Sequence, residues 1–270
     1  MRRRNERFWC CAAFLGVFLL LQQFCLQTTK TEVFSPRLPE AFDGLRIVQL
    51  SDLHGRRFGQ NNTLLLRQVE SLDPDIIAVT GDLLDTDRET EQSLSLLKSL
   101  QALAPTFFVT GNHEWSLSDV QSVLEDIRST GVTVLENEGL FLQRNAARIL
   151  LGGVHDPCGF RDQPDPLTVG QTLRKQVGEE TFFLLLAHRN ETAPYWAGSQ
   201  ADLILTGHAH GGLIRLPLLG GLVPRHGQAG YDSGLYPAGE SQLYVSRGLG
   251  GRGLRLFNRP EVSLLILRKS

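Results

Sequence analysis

The stretch Arg46-Ile47-Val48-Gln49-Leu50-Ser51-Asp52-Leu53-His54 is a short apolar burst that ends in a carboxylate and an imidazole two residues apart. The same arrangement recurs along the chain. Gly81-Asp82 follows the burst at 76–79, and Gly111-Asn112-His113-Glu114 follows the one at 107–109. Ala187-His188 follows residues 182–186, and Gly207-His208-Ala209-His210 follows residues 203–205. Short apolar runs bounded by Gly, Asp and Asn are the pattern of buried strands. Between the first three bursts lie segments of helical spacing, 62–72 through Leu65, Val69 and Leu72, and 89–103 through Leu94, Leu97 and Leu100. A third helix is predicted over 117–129. This alternation predicts a layered α/β domain with short parallel strands.

Past residue 130 strands dominate. They are predicted at 132–135, 140–143, 148–152, 182–186, 203–205, 242–246 and 262–267, with 167–177 the clearest helix. A strand-rich half beside a strand–helix half implies two packed sheets with helices outside. Gly and Pro concentrate between Gly211 and Gly253, which makes that region loop-rich.

In open α/β sheets ligands gather at the carboxyl ends of strands, so five strand ends distant in sequence can meet at one site. The side chains they carry are imidazoles, carboxylates and an amide oxygen, the donor types that hold divalent metals. Two imidazoles at i and i+2 on a turn can face one pocket, each toward a different metal, and a carboxylate such as Asp82 can bridge two cations. The glycines before Asp82, Asn112 and His208 are expected to turn the backbone tightly enough to aim the next side chain inward. His155 and His226 lie outside this pattern and read as loop residues. Cys158, in His155-Asp156-Pro157-Cys158-Gly159, reads as a loop thiol.

The 270 residues are 41% hydrophobic and 21% charged, which suits one folded domain with a large core. A formal net charge of -2 argues against a dedicated nucleic-acid binder. Cys10, Cys11 and Cys25 lie in or beside the apolar N-terminal stretch, so Cys158 has no partner for a disulfide framework.

Arg2, Arg3, Arg4 and Arg7 precede residues 8–26, which are apolar except for polar positions such as Gln22 and Gln23. With the glutamines at one interface the run just reaches the ~20 residues that span a bilayer. Residues 1–27 are therefore read as a single-pass membrane anchor. Cleavage as a secretory signal, leaving an exported soluble protein, is the alternative, although no small-x-small site follows the run. The positive-inside rule places the following domain outside the cytoplasm. Residues 28–42, with Pro36 and Pro39, read as a linker, and 43–270 as the catalytic domain.

At the five motifs the chain resembles the calcineurin-like metallophosphoesterase family, over about residues 43–268. It is most similar to bacterial membrane-anchored or exported members. Leu243-Tyr244-Val245-Ser246-Arg247-Gly248-Leu249-Gly250 and Phe257-Asn258-Arg259-Pro260-Glu261 are similar to their C-terminal segments. The resemblance implies a four-layer αββα sandwich of two mixed sheets flanked by helices. It implies two divalent metal ions, manganese foremost, with iron, zinc or nickel also suited. One metal would be held by Asp52, His54, Asp82 and His210, and the other by Asp82, Asn112, His188 and His208. His113 corresponds to the histidine that approaches the phosphate or protonates the leaving group.

The implied activity is phosphoester hydrolysis, as a phosphodiesterase or phosphatase using a metal-bridging hydroxide. The anchor suggests a lipid-linked or cell-envelope phosphoester. A catalytically silent, membrane-tethered metal-binding module is the alternative. Departures from the family pattern surround the ligand set: Arg189-Asn190-Glu191 after His188, Leu213 after the Gly-His-x-His-Gly-Gly run, and Leu254 before the arginine of the tail. Asp82-Leu83-Leu84-Asp85 lacks the tyrosine of purple acid phosphatases. Arg56, Arg57, Arg247 and Arg252 could reach substrate phosphate, with a solvated surface role as the favoured reading. The apolar segment 213–223 is a candidate cover for the site or a lipid contact, with a plain hairpin as the alternative.

Overall fold

The computed structural model describes residues 2–159, 163–216, 218–223, 230–251 and 253–270, with side chains from residue 9 onward. His226 and Arg252 therefore lie outside the described residues, as does Pro217 of the 213–223 segment. From the N-terminus the elements are α1 (Arg2–Phe24), β1 (Gln27–Ser35), β2 (Arg46–Leu50), α2 (Thr63–Ser71), β3 (Ile76–Thr80), α3 (Thr90–Leu103), β4 (Thr106–Val109) and α4 (Val120–Ser129). There follow β5 (Thr133–Val134), β6 (Glu138–Arg144), β7 (Ala147–Gly153), α5 (Pro166–Val177), β8 (Phe183–Leu186), α6 (Ala193–Ala197) and β9 (Leu203–Thr206). The chain closes with β10 (Arg215–Leu216), β11 (Gly220–Gly221), β12 (Gly234–Ala238), β13 (Ser241–Val245) and β14 (Glu261–Lys269).

Two six-stranded sheets result, in the orders β1-β14-β2-β3-β4-β5 and β12-β13-β9-β8-β7-β6. Both are mixed. β2, β3, β4 and β5 run parallel while β14 opposes β2, and β7, β8, β9 and β13 run parallel between antiparallel β6 and β12. The short β10–β11 pair stands apart.

The strands are continuous apolar runs because both their faces are buried. Alternate side chains go to opposite faces. Ile47, Ala78, Phe107 and Val109 meet Leu184, Leu186, Leu203 and Leu205 in the core between the sheets. Their neighbours Val48, Ile77, Val79 and Phe108 pack on Leu65, Leu97, Leu100, Leu124 and Ile127 of α2, α3 and α4. On the far side Phe183, Leu185 and Ile204 pack on Val169 and Leu173 of α5 and Trp196 of α6. The layers run helix, sheet, sheet, helix, as the resemblance implied.

The linker expected over 28–42 is not one. β1 pairs parallel with β14 from Gln27↔Glu261 to Ser35↔Lys269, and Val33, Leu38 and Phe42 are buried. An edge strand has one open side, so Gln27-Thr28-Thr29-Lys30 can stay polar and hide the strand signal. Its threonines are nevertheless good strand formers. A helix does form at the expected anchor, but among the described residues no helix is long and apolar enough to cross a membrane.

Candidate metal centre

The seven metal-type residues converge at the carboxyl ends of strands from both sheets. β2 leads into Asp52 and His54, β3 into Asp82, β4 into Asn112, β8 into His188, and β9 into His208 and His210. The local backbone is unusual. Asp52, His54, Asp82, His208 and His210 have φ of 52°, 50°, 53°, 64° and 49°. Left-handed conformations are uncommon outside glycine, and each costs on the order of 1–3 kcal/mol that the surroundings must offset. Here the offset is visible: Asp52 N–H donates to Gly81 O and His54 N–H to Asp82 O, both at 3.0 Å, and His208 N–H donates to the Asp52 carboxylate at 3.0 and 3.1 Å.

The glycines act differently from the sequence expectation. Only Gly81 turns in the left-handed region, at φ 81°. Gly111 and Gly207 matter for what they lack: a Cβ would strike Asp82 Oδ1 at Gly111, and Ser51 Oγ and Asp52 Oδ2 at Gly207. The ligand-type residues carry the turn, and the glycines let the strand ends approach.

The donors form two groups, Asp52–His54–His210 and Asp82–His188–His208, and His54 also stands in a third with Asp85 and His113, the ligand atoms of each group within 4.8 Å of one another. Asp82 Oδ2 joins them, lying 3.2 Å from His188 Nε2 and 3.6 Å from His54 Nε2. Within the groups His188 Nε2 lies 3.1 Å from His208 Nδ1, and His54 Nε2 lies 3.3 Å from His210 Nε2. The outer nitrogens set the tautomers. His188 Nδ1 donates to Thr80 O at 2.8 Å and His54 Nδ1 to Asp85 at 2.5 Å, so in the neutral rings each Nε2 lone pair faces inward. Asn112 Oδ1 is buried without a hydrogen-bond partner. A buried acceptor left without a donor beside imidazoles and carboxylates is what a cation would satisfy, so the residues fit the divalent ions that the donor chemistry implies.

The electrostatics agree. Burial alone would lower the proton affinity of His188, but the charge and hydrogen bond of Asp82 outweigh it and push the imidazole up to about 10. Burial likewise opposes charge on Asp82, yet His188 and His54 hold it well below the usual carboxylate range. Burial raises Asp52. The pocket is one in which positive charge compensates buried carboxylates.

His113 sits apart in character. Its side chain is 31% exposed where those of His54, His188 and His210 are 4% or less. Its N–H donates to Asp82 Oδ1 at 2.9 Å, its Nε2 lies 4.0 Å from Asp82 Oδ2, and its Nδ1 lies 2.8 Å from Asp85 Oδ1. Asp85 thus serves both His54 and His113. In the sequence Asp85 stands only as a neighbour of the Gly-Asp motif, and its place three residues after Asp82, on the same turn, is the signal that marks it.

Glu114 was also passed over. It is fully buried, and its Oε2 accepts from the amides of Asp82 and Gly111 while Oε1 accepts from Leu83 and Leu84. Burial and the charge of Asp82 push it up to about 7, against the pull of the Gly111 and Leu84 amides. It ties the loop after β3 to the loop after β4. Glu114→Gln turns an amide NH₂ toward two of these N–H groups, and at about 1–3 kcal/mol per unsatisfied donor a loss of about 2–6 kcal/mol in urea unfolding is expected. An unchanged midpoint and slope would contradict this role.

Of the candidate phosphate contacts, the three arginines among the described residues are engaged elsewhere. Arg56 donates to Gln23 O at 2.8 Å and covers the Phe24 ring, Arg57 donates to Gln92, and Arg247 pairs with Glu261 at 2.9 Å. His155 lies in a loop but is buried against Trp115, 3.0 Å from Thr110 Oγ1. Cys158 is an exposed free thiol. A glycine-rich loop closes the centre: a Cβ at Gly248 would meet Asp52, and one at Gly251 the His210 ring. Arg255, 1% exposed, holds this loop by donating to the carbonyls of Arg247, Gly248, Gly250 and Asn258. Burial pushes its guanidinium down to about 9.

Comparison with known proteins agrees with the geometry. A family model described as calcineurin-like phosphoesterase matches residues 45–212. The metallophosphoesterase YkuE of Bacillus subtilis is 28% identical over 265 residues, covering 94% of this chain and 90% of its own. The phosphodiesterase YaeI of Escherichia coli is 32% identical over 230 residues, covering 82% of each. The crystal structure of TT1561 of Thermus thermophilus, 14% identical, superposes with a TM-score of 0.50 over 76% of this chain and 90% of that one, a likeness of fold alone. A matching family, clustered donors for divalent ions and the two-sheet sandwich have one reading: the chain belongs to the calcineurin-like phosphoesterases and is a hydrolase of phosphoric ester bonds.

Proposed function

We propose that this hydrolase is a two-metal phosphodiesterase. Asp52, His54, Asp82 and His210 would hold one cation and Asp82, Asn112, His188 and His208 the other. The observation that carries the reading is the position of Asp82 Oδ2, facing an imidazole nitrogen of each group. Nitrogen and oxygen donors together suit manganese, iron, zinc or nickel almost equally, and manganese is the first to test. Cations bound there would lower the pKa of a coordinated water to about 7 and would neutralise charge on phosphoryl oxygens.

The chain's own residues do the rest. Thr80 O and Asp85 fix the rings of His188 and His54, so their donor atoms are set before substrate arrives. His113 presents Nε2 to the centre while Asp85 accepts from Nδ1. That geometry lets Nε2–H donate to the leaving oxygen, with the Asp85 carboxylate compensating the charge on the ring. A diester agrees with the activity for which the similar protein YaeI is named. The arginine cluster and apolar run of residues 1–27 support an enzyme that meets a membrane surface and a substrate that is lipid-linked or part of the cell envelope.

The test is turnover of bis(p-nitrophenyl) phosphate by the full chain, stripped with chelator and reloaded with manganese. Activity should vanish on stripping and return on reloading. No turnover of mono- or diesters with manganese, iron, zinc or nickel would leave a silent metal-binding module.

A further inference from the structure

We propose that α1, the 218–223 loop and the 254–257 turn form one surface that seats on an anionic lipid bilayer and brings the metal centre to phosphoesters anchored there. The inference rests on the reading of that centre as a phosphodiesterase site. Three separate segments expose large apolar side chains: Phe14 (75%) and Leu20 (59%) on α1, Leu218 (105%) and Leu219 (72%) on the loop, and Leu254 (52%) and Phe257 (53%) on the turn. Soluble monomers scatter such residues singly and seldom group them.

The segments are joined. The Phe18 and Phe257 rings lie 5.7 Å apart, Ile214 bridges to Leu256, and Leu222 N–H donates to Ile214 O at 2.8 Å. Gln23 fastens the end of α1 to the turn, donating to Arg255 O at 2.7 Å and accepting from Arg255 N–H at 3.4 Å. The surface also adjoins the centre: Asn258 Nδ2 donates to His210 O at 2.8 Å and to Leu213 O at 3.1 Å.

Charge selects the occupant. Residues 1–31, which include α1, hold Arg2, Arg3, Arg4, Arg7 and Lys30 against a single acidic residue, Glu6, in a chain of formal net charge -2. Arg215 is paired with Asp232 and Arg247 with Glu261, whereas Arg255 and Arg259 donate to backbone carbonyls and keep a positive charge that adds to that of the N-terminal arginines. Apolar side chains among basic residues match acyl chains beneath anionic headgroups. A second copy applied through the same face would set these positive charges against their like. The substrate class that follows is an amphiphile whose phosphodiester or pyrophosphate lies at the headgroup level while its apolar part stays in the bilayer.

Leu218→Trp in the full chain tests this, since a fully exposed site accepts the indole without repacking. Its emission is compared with that of the wild-type chain on vesicles of phosphatidylglycerol with brominated or plain acyl chains. The added emission should fall at least about twofold on the brominated vesicles, as for a side chain at the acyl boundary. Equal emission on the two vesicles overturns the proposal. So does a blue shift without lipid accompanied by dimers in mass photometry, which would assign the surface to a second copy. Turnover of bis(p-nitrophenyl) phosphate in detergent is measured on the same variant. Activity without quenching discards the docking surface alone, and quenching without activity discards the phosphodiesterase reading.

Discussion

An Asp82→Asn chain is expected to fold and yet to lose its metal and at least about 10³-fold of its turnover. The substitution is isosteric, and the retained side-chain oxygen can still accept from His113 N–H, as Asp82 Oδ1 does at 2.9 Å. What it removes is the charge at Oδ2, the one atom that faces both donor groups. The same loss has a second signature. In the metal-free protein His188 keeps a proton up to about pH 10 because of Asp82, so a cation must displace that proton. Metal affinity of the native chain should therefore weaken as pH falls, with proton release on binding. The variant lacks the carboxylate that raised His188, so it should release fewer protons on whatever metal it still takes. Elemental analysis, circular dichroism and calorimetry in two buffers of different ionisation enthalpy read the three quantities. A variant with full metal content and native turnover would remove Asp82 from the shared position.

The strand–helix half was legible because its strands are buried on both faces and therefore appear as unbroken apolar runs, as at Ile47, Val48 and Leu50. The metal-type residues were legible for a related reason: a strand in a layered fold ends where the polar site begins, so the residues directly after each run declare it. Three things were not legible. β1 is an edge strand whose partner is β14 at the other end of the chain, a pairing no local pattern contains. Asp85 and Glu114 act on other side chains and on backbone amides across loops, and a carboxylate in a turn has the same letter whether it is solvated or holds four N–H groups. The arginines misled because charge is visible in a sequence but its partner is not: Arg247 is taken by Glu261, and Arg56 by the end of α1.

His113→Ala is expected to keep both metals and lose ~10²–10⁴-fold in rate, the contribution of a positioned proton donor. Its side chain lies beside the donor groups, apart from the seven residues proposed to hold the ions, and it is the most open of the five imidazoles of the centre at 31% exposure. Because its task is to meet charge on the leaving oxygen, the loss should be small for p-nitrophenolate, which departs unaided, and large for alkyl alcohols. Asp85→Asn separates this from metal binding. Asp85 accepts from both His54 and His113, so the variant should lose turnover through one ring and about 10–100-fold in metal affinity through the other. Combined with His113→Ala, Asp85→Asn should cost only the metal part, and saturating manganese should then restore the double variant to the rate of His113→Ala alone. A double variant that falls further at saturating metal would mean that Asp85 acts on the reaction without His113. Equal losses for aryl and alkyl leaving groups would mean that His113 acts on the phosphoryl oxygens and donates no proton.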